Sequence, residues 1–339
     1  MLQERVLHRL STIDMSVFER RLQNTLHRYS LLPQGSAILV AVSGGPDSMC
    51  LIDLLVKLAP QYNWTLRVAH VNYQLRGADS DRDEKIVRNW AKKHHIPVSV
   101  KRVTLTQEKV TEAHLRDIRY TFLEAIRQKY QCTAIAIAHT EDDQAETVLL
   151  RLLRGTGTKG LRAMQPKNGF IVRPLLFESR KNVLAHLSKH SIPFGEDMTN
   201  FSLAFTRNRV RHELLPFLET QFNPKIKETL AKSAIAIADD EALLDECAKS
   251  LFPKTQAEKG GISFSMKDFI SLHPAVARRF LRRIALKGDQ TQFAPTFDDI
   301  EEMRRLIEST KNKIQKKAFR GLNIEKKGDR VRVIFHTKY

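Results

Sequence analysis

The sequence predicts an α/β protein with a doubly wound parallel sheet, followed by a smaller, mainly helical C-terminal domain. Short apolar runs alternate with amphipathic helical segments between Ala37 and Arg154. This alternation is typical of a parallel sheet with helices on both faces. Polar segments directly follow several of the strands, where sheets of this kind bind their ligands. From about Phe222 onward, long helical segments replace the alternating pattern.

The first half of the chain supplies the predicted sheet. Phe18, Leu22 and Leu26 recur at helical spacing, which predicts a short helix over residues 14–30. Asp47 or Ser48 is expected to cap the first helix that follows a strand. Four strand–helix pairs are expected, with strands at 37–42, 64–71, 97–103 and 133–139 and helices at about 47–58, 79–95, 111–130 and 142–154.

The second half of the chain is mostly helical. Residues 180–190 predict one helix, and amphipathic segments around 225–251, 267–287 and 296–310 predict three more. Gly328-Asp329 predicts a hairpin turn between two apolar runs. Pro216 and the segment "FNP" interrupt the pattern near 216–223. The expected divisions are an N-terminal helical segment (1–30), an α/β domain (31–218) and a mainly α-helical C-terminal domain (222–339).

Composition narrows the class of protein. With 339 residues and 42% hydrophobic content, the chain has enough apolar side chains for a sizeable core. No apolar run approaches the ~18 residues needed to span a membrane, and the N-terminus lacks a signal peptide's apolar core. Cys50, Cys132 and Cys247 are isolated, which argues against a disulfide framework or a zinc ribbon. We therefore expect a cytoplasmic protein that does not contact membranes.

A large positive charge predicts a polyanionic partner. The chain has 56 Lys+Arg against 38 Asp+Glu, a formal net charge of +18. Nucleic acid is the commonest partner of such a surface, although some soluble proteins are merely basic. Charged helix faces are also often only solvated. The two basic groups that are candidates for phosphate contact are Arg278, Arg279, Arg282 and Arg283, and Lys311, Lys313, Lys316, Lys317 and Arg320.

The segment "AVSGGPDS" has the position of an anion-binding loop, between a strand and a helix N-terminus. It lacks the lysine of GxxxxGK[ST], and the adjacent Gly44 and Gly45 do not fit GxGxxG. Ser43 and Ser48 can donate to phosphate oxygens, whereas Asp47 would repel phosphate unless Mg²⁺ lay between them. The loop therefore predicts binding of Mg-pyrophosphate, although an isolated Gly-Gly turn is more often structural.

"AVSGGPDS" resembles the SGGxDS signature of the N-type ATP pyrophosphatases, or PP-loop proteins. These enzymes split ATP between the α and β phosphates, adenylate a carbonyl or amide oxygen and release pyrophosphate. The resemblance implies ATP and Mg²⁺ as cofactors, with Asp47 as the metal ligand through pyrophosphate. It implies that ATP is bound by Ser43, Gly44, Gly45, Pro46, Asp47 and Ser48.

Four further segments resemble one PP-loop family, the bacterial tRNA(Ile)-lysidine synthetases. They begin with "AHVNYQLRG", "LRDIRYTFL", "AIAHTEDDQAET" and "IVRPLL", and with the loop they cover about residues 36–218. Tyr73 stands where the family usually has a second histidine, and Leu115 replaces an alanine. The chain resembles the short form of the family, and the resemblance leaves a homodimer open.

The resemblance implies a specific reaction. The substrate is tRNA(Ile) with the CAU anticodon, and its wobble cytidine is adenylated on the C2 oxygen. Free L-lysine then attacks C2 and expels AMP, leaving lysidine, so that the tRNA reads AUA instead of AUG. The domain at 31–218 is then the catalytic domain, and the domain at 222–339 binds tRNA.

Site residues follow from the same resemblance. Asp143 and Glu146, three residues apart on one helix face, are implied to be catalytic or to bind lysine, although acids in a first turn are also ordinary caps. His139 is expected to complete the lysine and cytidine pocket; a lone histidine at a strand end is more often structural. The remaining implied residues are Arg119 as catalytic, with His70, Arg207 and Arg211 as ATP ligands.

Two other functions remain open. One is another PP-loop enzyme, such as a tRNA thiolase or an amidotransferase synthetase domain. A thiolase commonly needs paired or cluster-binding cysteines, and an amidotransferase needs a nucleophilic cysteine; the three isolated cysteines of this chain fit neither requirement. A non-catalytic, basic tRNA-binding protein would not need the intact loop from Ser43 to Ser48.

Overall fold

The computed structural model describes residues 16–75, 77–104, 111–195, 206–251, 255–288, 295–310, 314–319 and 321–335. The chain divides into two compact units. One comprises Met1–Gly155 with Ala163–Ala234, and the other Thr156–Arg162 with Ile235–Tyr339. The predicted boundary near 216–223 lies shortly before this division.

A six-stranded sheet forms the centre of the first unit. Its strands are β1 (Ala37–Ala41), β2 (Thr65–Asn72), β3 (Val98–Arg102), β4 (Ala134–Ala136), β5 (Lys167–Asn168) and β6 (Ile171–Val172). Their order is β3-β2-β1-β4-β6-β5, and every neighbouring pair is parallel except β5 and β6. All four predicted strands form, but β4 ends at Ala136, three residues before its predicted end.

Helices accompany the strands as the alternation predicts. In the first unit they are α1 (Val17–Arg28), α2 (Pro46–Tyr62), α3 (Ala78–Lys93), α4 (Glu112–Lys129), α5 (Glu141–Leu153), α7 (Arg180–Lys189), α8 (Thr206–Arg209) and α9 (Leu215–Gln221). A short helix, α6 (Thr158–Leu161), belongs to the second unit, and α10 (Ile226–Lys249) crosses the division between the units. A five-residue π-helical turn, Val210–Leu214, joins α8 to α9.

The sheet is covered on both faces, which confirms the doubly wound architecture. Ile38 and Val40 point to one face and pack in a core with residues of α1, α2, α3 and α7. Leu39 points to the other face and packs with Leu123 of α4. Alternate residues of β1 are therefore buried on opposite sides.

The predicted cap of α2, Asp47 or Ser48, was wrong by two or three residues. Gly45 is the N-cap, and Pro46 is the first helical residue. Proline suits this position because its fixed φ matches the helix and its missing N–H has no partner to lose. Asp47 and Ser48 therefore lie within the first turn, rather than capping it. The helix also continues through Pro60 to Tyr62, beyond its predicted end.

The second unit contains more sheet than the sequence predicts. Its strands β7 (Gln256–Glu258), β8 (Gly261–Ser265), β9 (Gln315–Phe319), β10 (Leu322–Lys327) and β11 (Arg330–Phe335) form an antiparallel sheet in the order β7-β8-β11-β10-β9. The predicted hairpin joins β10 to β11. Helices α11 (Met266–Ile270), α12 (Pro274–Gly288) and α13 (Phe297–Glu308) complete the unit, and their apolar side chains share a core with the sheet.

Candidate active site

The phosphate loop connects β1 to α2, and its backbone requires glycine at one position. Gly44 has φ +93°, a conformation that side chains with a Cβ rarely adopt. A Cβ at Gly44 would lie 3.0 Å from the Cβ and 3.1 Å from the carbonyl oxygen of Asp83. The Gly44 carbonyl also accepts a hydrogen bond of 2.9 Å from the Gly195 amide. The loop is thereby held against two other segments of the chain.

Two serines shape this loop from within. The Ser48 hydroxyl donates to the Gly45 carbonyl at 2.9 Å and accepts from the Ser43 amide at 3.1 Å. The hydroxyl oxygens of Ser43 and Ser48 lie 3.1 Å apart, and that of Ser43 accepts from the Gly45 amide at 3.3 Å. The predicted ATP ligands Ser43 and Ser48 therefore also maintain the curvature of the loop.

Asp47 carries a carboxylate that is only partly compensated. Its Oδ2 lies 3.5 Å from Nη1 of Arg180, whereas Oδ1 is buried and has no hydrogen-bond partner among the described residues. Burial raises the pKa of Asp47 to about 6; Arg180 opposes the rise, and the negative charge of Asp143 adds to it. A buried carboxylate oxygen without a donor suits a hard cation, so this residue fits the predicted role in holding Mg²⁺.

A cluster of four charged side chains lies between α5 and the segment from Arg207 to Arg211. The Glu146 carboxylate, 1% exposed, accepts from Nε of Arg211 at 2.5 Å and from Nε of Arg207 at 3.0 Å. Oδ1 of Asp143 lies 3.2 Å from Nη2 of Arg211 and 3.4 Å from Nη2 of Arg207. The sequence predicts two carboxylates for lysine and two arginines for ATP. The structure brings these four residues into one cluster, which we call the charge cluster.

Local structure explains how the charge cluster is held. Asp143 is the third residue of α5, and its Oδ2 accepts from the Thr140 amide at 2.9 Å, closing a capping box. The ordinary capping explanation is therefore also correct for this residue. Burial acts to raise the pKa of Asp143, whereas the positive charges of Arg207 and Arg211 and the hydrogen bond from the Thr140 amide lower it, and its pKa lies below the usual value.

His139 follows β4 and is neutral. Its Nδ1 accepts a hydrogen bond of 3.1 Å from Nε of Arg173. Because a guanidinium can only donate, the ring proton must be on Nε2. Burial lowers the pKa of His139 to about 3; Asp143 opposes this, and Arg173 reinforces it. His139 is therefore suited to donate a hydrogen bond at physiological pH, and not to act as a base.

Arg173 and Arg180 are site residues that the sequence motifs do not indicate. Arg173 is 5% exposed, and its Nη1 also donates to the Gln165 carbonyl at 2.7 Å. The only available signal was an arginine inside the apolar run "IVRPLL", where a buried charge needs partners. Arg180 begins α7, and nothing in its neighbourhood indicated a contact with Asp47.

His70 and Tyr73 lie at the end of β2 and beyond it. Nδ1 of the buried His70 lies 2.8 Å from the Val42 carbonyl, to which it donates, and burial lowers the pKa of the ring. Its Nε2 is buried without a hydrogen-bond partner among the described residues. Tyr73, the departure from the family pattern, donates from its hydroxyl to the Leu115 carbonyl at 2.9 Å. It therefore ties the end of β2 to α4.

Arg119 is not hydrogen-bonded to the charge cluster. Its Nε is buried and has no partner within the part of the chain that the structure describes. Its guanidinium carbon lies 5.4 Å from the centre of the Tyr120 ring. The charge of Arg119 nevertheless contributes to the low pKa of His139, so the two side chains belong to the same region. A catalytic role for Arg119 stays a prediction.

The predicted basic groups of the second unit are partly neutralised. Nε of Arg278 lies 2.6 Å from Glu301, and Arg279 pairs with Glu241. Lys317 pairs with Glu302, and Lys316 with Glu325. Lys311, Lys313 and Arg320 lie outside the described residues. These pairs leave less free positive charge on the unit than the sequence alone indicates.

No helix among the described residues combines the length and apolarity that crossing a membrane requires.

The fold and the phosphate loop define the class of the protein. The family model described as PP-loop domain matches residues 15–218. Among solved structures, the U34-tRNA thiolase NcsA from Methanococcus maripaludis, determined with its [4Fe-4S] cluster, is similar with a TM-score of 0.55 and 17% identity. The match covers 65% of this chain and 77% of the thiolase. At this identity the likeness concerns the fold alone.

Proteins named tRNA(Ile)-lysidine synthase are similar over most of the chain. That of Clostridium tetani is 34% identical over 279 residues, covering 80% of this chain and 60% of the relative. The relative from Geobacter sulfurreducens is 38% identical, and the match covers 88% of this chain and 64% of the relative. The chain therefore spans less than two thirds of the length of these two relatives. For Nostoc sp. the identity is 33%, with 88% and 91% covered. The chain therefore belongs to the tRNA(Ile)-lysidine synthase family of PP-loop proteins.

Proposed function

We propose that this protein uses ATP to ligate free L-lysine to C2 of the wobble cytidine of tRNA(Ile) with the CAU anticodon. The observation that carries the proposal is the proximity of the phosphate loop to the charge cluster. Arg180 contacts both sides: its Nη1 lies 3.5 Å from Oδ2 of Asp47, and its amide donates to Asp142 of α5 at 2.8 Å. The charges of Asp143 and Arg211 also act on the pKa of Asp47, so the loop and the cluster are neighbours. An anion site beside a buried pair of carboxylates suits a nucleotide together with a cationic amino acid. The names of the related proteins support the same reaction.

In the first step the C2 carbonyl oxygen of cytidine attacks the α-phosphorus of ATP. The new O–P bond forms as the α–β phosphoanhydride bond breaks, and pyrophosphate leaves. Amides of the loop and the N-terminus of α2 bind the phosphates. Asp47 would hold Mg²⁺, which would neutralise charge on the pyrophosphate. We assign Arg207 and Arg211, the two cations of the charge cluster, to the phosphates of ATP.

In the second step the lysine amine attacks C2, the C2–O bond breaks and AMP leaves. Asp143 and Glu146 attract the cationic amino acid, and one of them accepts the proton that the attacking amine must lose. The pKa of Asp143 is below its usual value, so this residue remains ionised as the cation arrives. His139, as a neutral Nε2–H donor, is suited to hydrogen-bond with an oxygen of cytidine or of the nucleotide.

The polyanionic partner fits the charge of the protein. A net charge of +18 supports association with tRNA phosphates. The wobble cytidine must leave its base stack to reach the phosphate loop and the charge cluster. We assign tRNA binding in part to the region 222–339. The pairing of Arg278 and Arg279 with acids favours other basic residues as the phosphate contacts.

The proposal is tested with ATP, Mg²⁺, labelled lysine and unmodified tRNA(Ile) bearing CAU. We expect label to enter the tRNA, with one AMP and one pyrophosphate released for each lysine incorporated. Methionine tRNA, which also carries CAU, is the matched control and should remain unlabelled. Failure of label to enter tRNA(Ile), with protein shown to be folded by circular dichroism, would refute the assignment. Incorporation of sulfur instead would identify a tRNA thiolase.

A further inference from the structure

We propose a second, structural metal site in the first unit, formed by Glu19, His186 and His190 and specific for a zinc-like divalent ion. Glu19 belongs to α1, His186 to α7, and His190 directly follows α7. One potential ligand atom of each residue lies within 4.8 Å of the other two. Small side-chain rotations would bring these atoms to the spacing of ligands around one ion.

The two histidines have the spacing of a helical chelate. They are four positions apart and therefore share one face of the helix end. Their ring centroids lie 4.5 Å apart. Histidines four apart on a helix, completed by a carboxylate, form the ligand set of many zinc sites. Imidazole favours zinc and its neighbours among the transition metals, and disfavours Mg²⁺.

Asp53 holds one of these rings in position. Nε2 of His186 lies 2.9 Å from Oδ2 of Asp53, on α2. When Nε2–H donates to that carboxylate, Nδ1 carries the lone pair and is available to a metal. A carboxylate behind a metal-bound histidine fixes its tautomer and raises its basicity. The Phe18 ring, with its centroid 5.4 Å from that of His186, also restrains this side chain.

Glu19 has one oxygen left for an ion. Its Oε2 accepts from the amide and hydroxyl of Ser16, at 2.8 and 3.0 Å. The other oxygen, Oε1, lies 3.7 Å from Nζ of Lys57. The capping box therefore holds Glu19 through Oε2 and leaves Oε1, beside Lys57, for an ion.

The local charge balance favours a cation. Lys57 also lies 2.9 Å from Asp53, so one ammonium faces the two carboxylates of Asp53 and Glu19. These three charged side chains together carry one excess negative charge. The Lys57 side chain is 35% exposed and can turn into solvent when a divalent ion replaces it. Lys57 is therefore the competitor of the metal.

The site would join three helices on one face of the sheet. The ion would link α1 to the end of α7, and Asp53 would extend the link to α2. Arg180, at the other end of α7, faces Asp47. The role we assign is structural: the metal fixes α1 in place and takes part in no chemical step.

Zinc titration by calorimetry, without nucleotide, tests the site. We expect one saturable site in the wild type and binding at least about tenfold weaker in His190→Ala and Glu19→Gln. Glutamine retains the capping box, so the second variant isolates the loss of the ligand charge. His114→Ala, which removes an exposed histidine of α4, should bind as the wild type does. Lys57→Met should bind more tightly, because the competing ammonium is gone.

A thermal measurement gives an independent result. Zinc should raise the melting temperature of the wild type and of Lys57→Met, and leave that of His190→Ala unchanged. Equal zinc affinity in the wild type and His190→Ala, or no saturable binding at all, would overturn the proposal. Both zinc measurements are made without substrate, so their outcome does not depend on the proposed function. Lysine incorporation in zinc-free buffer that contains Mg²⁺ should be the same in His190→Ala and the wild type.

Discussion

Replacement of Asp47 by asparagine should make the protein more stable at neutral pH while removing its adenylation activity. The carboxylate is buried beside Asp143, and one of its oxygens has no donor among the described residues. Ionisation of Asp47 in the folded protein therefore costs free energy that Arg180 compensates only in part. Asparagine has nearly the same shape and no charge, so it removes this cost and with it the Mg²⁺ ligand.

The size of the effect follows from the pKa. A rise from 3.8 in the unfolded chain to about 6 in the folded protein corresponds to about 3 kcal/mol of destabilisation once the group is ionised. The asparagine amide also lacks a partner at the position of Oδ1, so about 3 kcal/mol is the upper value of the gain.

The pH dependence gives the sign of the prediction. Below the unfolded pKa of 3.8 the carboxyl is protonated in both states and contributes nothing. Between 3.8 and about 6 the folded state binds more protons than the unfolded state, so the wild type loses stability as pH rises. Above that window the full cost is present. The advantage of Asp47→Asn should therefore be largest near pH 8 and fall to about 1 kcal/mol near pH 4.5.

Denaturant unfolding of both proteins at these two pH values measures the difference. Asp79→Asn serves as the control, because the Asp79 side chain is 46% exposed and its loss should change stability little at either pH. The reasoning is refuted if Asp47→Asn is no more stable than the wild type at pH 8, or if its advantage does not depend on pH. Pyrophosphate release in the presence of tRNA should be absent in the variant.

Three further substitutions test other parts of the site. Gly44→Ala places a Cβ against Asp83 in a backbone conformation with positive φ. The free energy of unfolding should therefore fall by about 1–3 kcal/mol, and ATP should bind more weakly. Unchanged nucleotide titrations and unfolding curves would contradict this. Glu146→Gln should keep tRNA-dependent pyrophosphate release but raise the lysine KM by about tenfold or more. Its control is Glu213→Gln on the surface, and an unaltered KM in Glu146→Gln would remove Glu146 from the lysine pocket. Arg173→Met removes the donor that holds the ring proton of His139 on Nε2, so the proton should no longer be fixed there. Lysidine formation should slow by about tenfold or more. Nitrogen NMR of the His139 ring reports the tautomer directly, and an unchanged spectrum would show that Arg173 does not control it.

The sheet and the phosphate loop could be predicted because their signals are local. Apolar runs such as Ile38–Val40 are buried on both faces of β1, so nearly every residue in the strand is hydrophobic. The phosphate loop needs a glycine at position 44, and the short motif around that position is enough to recognise the loop. The start of α2 was misplaced because Pro46 opens the helix before the polar residues that usually cap one.

The charge cluster could be predicted as a set of residues but not as an arrangement. Arg207 and Glu146 are 61 positions apart, and no periodicity connects them. Their contact depends on how α5 and the segment after α8 pack around Ala145 and Val210. Arg173 was missed for the same reason, since its partner His139 belongs to another strand end. The sheet of the second unit was missed because β7 and β9 are short and mostly exposed, without an alternating apolar face.

The contact of Arg211 with Glu146 depends on the number of residues in the π-helical turn at Val210–Leu214. Arg211 lies inside this turn and Arg207 before it, yet both meet the same two carboxylates. A π turn contains one residue more than the α-helical turn it replaces. Deleting a single residue from the turn would restore α-helical register and rotate Arg211 by about 100° relative to the rest of the segment. The site thus depends on the backbone spacing of this segment as well as on its side chains. A shortened turn would disable the site although every charged residue would still be present.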